Sequence, residues 1–145
     1  MAKERPDHHD AELALRVYDM RREAVMRESR AAINQKFSPK TFDDVVAALT
    51  KGDHPLNSAY RQVASFWEMV YGFARHGIVH TDFWLESNGE GLLVFAKVAP
   101  HLDRIRAEIS PVAFRNTEWV ARESAEGRRL FAMFSARVTK ALASK

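Results

Sequence analysis

Cysteine is absent from the 145 residues. That excludes a disulfide framework, a thiol nucleophile and a thiolate metal site. Long apolar runs are also missing: Leu92-Leu93-Val94-Phe95-Ala96 falls far short of the roughly 18 residues that suggest a membrane span. Met1 to Asp10 is polar and lacks the apolar centre of a signal peptide. These features predict a soluble, cytoplasmic protein. No glycine-rich phosphate loop, nucleophile-elbow serine or isolated pair of carboxylates appears, so the sequence argues against an enzyme and implies no cofactor. An excess of one charge is lacking too. With 22 basic and 19 acidic residues the net charge is +3, which argues against a nucleic-acid partner.

What is present is an ordinary globular composition, 46% hydrophobic and 28% charged. A chain of this length buries about 68–70% of its unfolded surface as one domain. The pattern predicts an all-α, single-domain bundle of about six or seven helices. Residues 1–10 read as a disordered or frayed N-terminus and 11–145 as the domain. Leu13, Val17, Met20 and Ala24 recur at helical spacing and predict one long helix from Asp10 to Lys36, stopped by Ser38-Pro39. Thr41 with Asp44 forms a capping-box pattern for a short helix reaching Gly52. A helix over about Gly91 to Ile109 contains Pro100, which should kink or split it. Ser110-Pro111 reads as a helix start. Two further helices follow, around Asn116–Glu123 and Glu126–Ala143.

The most distinctive stretch is a helix from about Asn57 to Gly77, with Asn57 or Ser58 as its cap. Its aromatic and aliphatic residues cover roughly half the circumference at 100° per residue. A stripe that wide needs several neighbours, so this helix should sit at the centre, against the long first helix and the Gly91–Ile109 helix. Gly72, on the border of the stripe, would let another element approach closely.

Phe66-Trp67-Glu68, the turn Arg75-His76-Gly77-Ile78-Val79-His80, and Pro100 and Arg106 in the following helix together resemble a bacterial family of uncharacterised helical proteins, domain of unknown function 4760. The resemblance covers about half the chain. It implies a helical architecture and no mechanism, because the family has no established activity. Members often carry a membrane span ahead of the helical domain, where this chain has the polar Met1–Asp10.

Candidate sites are few. Arg106 falls within an apolar arc and calls for a carboxylate, with Glu68 or Asp103 as partner, either as a structural ion pair or as part of an anion site. His76, His80 and Asp82 form the one metal-like cluster, although Gly77 should end the helix between the two histidines. Trp67, Tyr71 and Trp84 read as core or as the lining of a pocket. Leu15, Met26 and Met69 lie off the main stripes and suggest an oligomer interface. The basic residues Arg21, Arg22, Arg27 and Arg30 are interrupted by acids, unlike a phosphate-binding face. The resulting expectation is a non-enzymatic interaction or scaffold module that self-associates as a homo-oligomer. The alternatives are a small-molecule or anion-binding domain using Arg106, Glu68 and the nearby aromatics, and a weak nucleic-acid binder.

Overall fold

A computed structural model describes residues 3–144, which form helices and no strands. In chain order these are α1 (His8–Arg21), α2 (Ala24–Lys36), α3 (Phe42–Thr50), α4 (Asn57–Arg75), α5 (Thr81–Ser87), α6 (Glu90–Val98), a 3-10 turn at Ala99–His101, α7 (Leu102–Glu108), α8 (Arg115–Glu123) and α9 (Ala125–Ala143). The aromatic helix, α4, is the hub and touches α2, α3, α5, α6 and α8. Its most extensive neighbours are α2 and α8 rather than α6, which packs chiefly against α9. Val63, Phe66, Trp67, Val70, Tyr71 and Ala74 turn one broad face of α4 into the core. Trp67 and Tyr71 stack with ring centroids 5.6 Å apart, and Gly91 lies against them. A Cβ there would come within 2.6 Å of Tyr71 and 2.7 Å of Trp67, so α6 meets α4 through a glycine.

Local signals in the sequence produce several of these ends. Thr41 Oγ1 accepts from Asp44 N while Asp44 accepts from Thr41 N, a complete capping box. α4 stops at Gly77, whose φ of 73° suits glycine. Ile78 N there donates to Phe73 O and Gly77 N to Ala74 O, a Schellman arrangement. Pro100 splits the Gly91–Ile109 pattern into α6, the 3-10 turn and α7.

Four expectations need correction. The single helix over Asp10–Lys36 is two. Arg22 ends α1, and the Glu23 carboxylate caps α2 by accepting from Val25 N and Met26 N, each at 3.1 Å. This division, with the split at Pro100, accounts for the helices beyond the six or seven expected. Second, residues 3–10 of the segment read as frayed carry defined contacts. Asp7 caps α1, and fully buried Asp10 meets Lys3 Nζ at 2.8 Å and His80 N at 3.2 Å. Residues 1 and 2 lie outside the described residues. Third, neither Asn57 nor Ser58 caps α4: Leu56 holds that position, and Asn57 Nδ2 donates to Ala48 O at the end of α3. Fourth, Ser110-Pro111 starts a turn rather than a helix. α8 begins at Arg115, after Phe114 adopts a left-handed φ of 58°.

Candidate functional site

α8 begins without a side chain of its own to cap it, although the first N–H groups of any helix need acceptors. Glu68, reaching across from α4, supplies them. Its carboxylate accepts from Asn116 N at 3.1 Å, Thr117 N at 2.7 Å and Thr117 Oγ1 at 2.6 Å. Its backbone carbonyl accepts from Asn116 Nδ2 at 3.0 Å. The carboxylate thus does the work of an N-cap and places negative charge at the positive end of a helix. Gly72 makes this approach possible, since a Cβ there would lie 3.0 Å from Asn116 Nδ2.

Arg106 does not meet Glu68. Its Nε donates to Ala113 O at 3.1 Å, and a terminal nitrogen pairs with Glu118 at 3.0 Å. Glu118 also pairs with Arg122 at 3.1 Å. Asp103 is exposed and forms no ion pair with Arg106. The guanidinium therefore fastens the 110–114 turn and α8 to α7. The expected Glu68–Arg106 contact is replaced by two separate devices, with both carboxylate oxygens engaged at the start of α8 and the guanidinium engaged by Ala113 O and Glu118.

The metal-like cluster disperses in the same way. His80 Nδ1 accepts from Phe83 N at 3.1 Å and caps α5. Asp82 accepts from Glu126 N at 3.1 Å at the start of α9, beside the Ser124 cap. His76 is exposed at the end of α4. No group of three or more His, Cys, Asp or Glu side chains among the described residues could hold a metal ion.

Trp67, Tyr71 and Trp84 are 2%, 0% and 0% exposed and fill the core. Tyr71 Oη donates to Asn88 O at 2.8 Å and Trp84 Nε1 to Val70 O at 2.9 Å. Burial pushes the Tyr71 hydroxyl well above its ordinary value.

Two polar centres escaped the sequence reading. Lys97 is 8% exposed in α6, and its ammonium donates to the carbonyls of Ile33, Asn34 and Phe37 at 2.8, 3.1 and 2.8 Å. It is a cation at the negative end of α2. A lysine within the apolar run Leu92–Val98 was the available signal. The second is Glu90, gripped in fork geometry by Arg30 at 3.0 and 2.6 Å and by Asn34 Nδ2 at 2.9 Å. Burial raises its pKa, but hydrogen bonds from Arg30 and Asn34 and the charges of Arg30 and Arg21 outweigh it, so the carboxyl is held below its ordinary value. Part of the basic sequence of α1 and α2 is thereby committed, since Arg21 also donates to Ser87 O at 3.1 Å.

The arrangement defines a class: an all-helical domain whose charged side chains reach from one helix to satisfy the ends of another. The family whose model matches residues 6–124 is described as "Domain of unknown function (DUF4760)", and the chain belongs to it. The match takes in all of α1 through α8 and stops before α9. Neither the curated proteins nor the solved structures contain a match to this chain. No helix among the described residues is long and apolar enough to cross a membrane.

Proposed function

We propose that the protein is a non-enzymatic interaction module that self-associates through the outward face of α1. The observation that carries this reading is a concentration of exposed apolar side chains at α1 and the start of α2: Leu15 at 69%, Tyr18 at 46%, Met20 at 44% and Val25 at 53%. α1 is otherwise lightly held, packing only on α2 and α5 to any extent. At 100° per residue, Ala11, Leu15, Tyr18 and Arg22 share the face opposite buried Val17, with Glu12 and Asp19 along one border. Glu12 near one end and Arg22 near the other make that face self-complementary for an antiparallel second copy, the geometry of a two-fold interface. The non-enzymatic part of the proposal draws support from Glu68, His80 and Asp82, whose acceptor atoms are engaged at helix ends.

Light scattering coupled to gel filtration tests the proposal. At micromolar concentration the natural chain should give twice its 16.5 kDa monomer mass, and Leu15→Glu should give the monomer mass with an unchanged helical spectrum. A monomeric natural chain, or a dimer indifferent to Leu15→Glu, refutes it.

A further inference from the structure

Two adjoining clefts open beside the C-terminal half of α9, and no residue of α1 lines either. One, of about 190 Å³, lies between α9, α6 and the end of α2, with Phe37, Pro39, Leu93, Val138 and Leu142 as apolar walls. The other, of about 490 Å³, continues along α9 toward the 3-10 turn and shares Pro39, Lys97, Val138 and Leu142 with the first. The described residues lining the two clefts include Lys40, Lys97, His101 and Arg137 and no carboxylate. In a chain whose charges nearly balance, with 22 basic and 19 acidic residues, the described charged side chains lining the groove are basic, with the Asp44 carboxylate lying outside the lining against Lys40 N.

The cations differ in what they offer. Lys97 directs its N–H groups to the carbonyls at the end of α2 and is committed within the fold. Arg137 is exposed, has no carboxylate partner among the described residues, and holds its guanidinium 5.2 Å from the Phe134 ring at the mouth of the groove. An apolar slot with a cation at its rim matches a ligand that has an apolar chain and an anionic head. An apolar cavity of about 150 Å³ admits benzene, so the smaller cleft suits a chain of about six to eight carbons.

We infer that this groove binds a medium-chain fatty carboxylate, its chain between Phe37, Leu93 and Val138 and its carboxylate at Arg137. Arg137 and Val138, on α9, lie beyond the family match, whereas Phe37 and Leu93 lie within it.

Calorimetric titration with octanoate tests this, with octanol as the same chain without charge and acetate as the charge without the chain. Octanoate should bind saturably and at least about tenfold more tightly than either, since each tenfold is a modest free-energy difference for a desolvated chain and a rim charge. Arg137→Glu should weaken octanoate at least tenfold, by about the margin a rim charge commands, and Val138→Trp should abolish binding by filling the slot. Arg27→Glu, the same charge change at an exposed position on α2, should leave binding unaltered. The inference is overturned if octanoate does not saturate at millimolar concentration, if octanol binds as well, or if Arg27→Glu weakens binding as much as Arg137→Glu. Should Val138→Trp fail to fold, Arg137→Glu decides, because Arg137 is exposed and, among the described residues, its side chain is held only by the Phe134 ring.

Discussion

Replacing Glu68 by alanine removes the acceptor for two backbone N–H groups at the start of α8 and for the hydroxyl of Thr117, which is 1% exposed. A hydrogen bond to a charged group contributes about 1.5–3 kcal/mol, and loss of an N-cap costs about 0.5–2 kcal/mol. These contributions overlap, since they describe the same oxygens, and water can replace part of what is lost at a half-buried position. The expected cost of Glu68→Ala is about 2–4 kcal/mol. Globular proteins gain about 2.1 cal/mol/K of unfolding entropy per residue, so for this chain each kcal/mol lowers the melting temperature by about 3 °C. Glu68→Ala should therefore melt about 6–12 °C lower by the same scaling. Glu68→Gln keeps one accepting oxygen without the charge and should lose about half as much. Thr117→Val removes only the hydroxyl, so the pair Glu68→Ala and Thr117→Val should be non-additive by about 1 kcal/mol in a double-mutant cycle. Chemical denaturation followed by circular dichroism measures all of these values. A cost below about 1 kcal/mol for Glu68→Ala would show that the carboxylate does not cap α8 and refute the reasoning, and strict additivity with Thr117→Val would refute the contact between the carboxylate and the Thr117 hydroxyl.

Two further predictions concern the charges the sequence reading missed. Lys97→Met, which keeps the apolar stem and removes the ammonium, should cost about 2–4 kcal/mol in urea unfolding because three carbonyls at the end of α2 lose their donor. Lys97→Arg should not restore it, since a planar guanidinium cannot reproduce three converging donors. Glu90 has a folded pKa below its ordinary 4.5, so the unfolded state takes up more protons as the solution is acidified. The contribution of Glu90 is therefore present above pH 4.5 and lost as pH falls through its lower folded value. Relative to the natural chain, Glu90→Gln should be destabilised by about 1–2 kcal/mol at neutral pH, and that difference should shrink toward zero in strong acid, read from urea midpoints across the pH range.

Features readable from the sequence were those whose causes lie within a few residues of each other. The broad apolar face of α4, the Thr41–Asp44 box, the stop at Gly77 and the break at Pro100 all arise from local spacing and local backbone preference. The division between α1 and α2 was not readable, because no glycine or proline marks it and its cap is a glutamate, outside the usual set of Ser, Thr, Asp and Asn. The start of α8 was hidden for a related reason: the Ser110-Pro111 signal is real but local, and it forms a turn that Arg106 holds through Ala113 O. The polar contacts were the least legible. Glu68 and the N–H donors it accepts from are 48 and 49 residues apart, and Lys97 is 60 to 64 residues from the carbonyls it binds. Periodicity identifies such residues as misplaced on an apolar face but carries no information about a partner so distant.

Once the helices are placed, the sign of each charge does specify which kind of end it meets: Glu68 and Asp82 meet N-termini, and Lys97 meets a C-terminus. At α8 this arrangement follows from packing. The position where a serine or aspartate would normally cap the helix is occupied by Phe114, 6% exposed, whose ring lies 5.6 Å from that of Phe95. A capping side chain there would sacrifice a core aromatic, so the acceptor must come from another helix. Glu68 can supply it only if α4 and α8 approach closely, which Gly72 permits. The left-handed backbone at Phe114, strained for a bulky residue, is thus held by core packing on one side and by the Glu68 cap on the other. Formation of α8 consequently depends on α4 being in place, so a charge that looked like an ion-pair partner of Arg106 or part of an anion site instead couples the folding of the central helix to that of its neighbour.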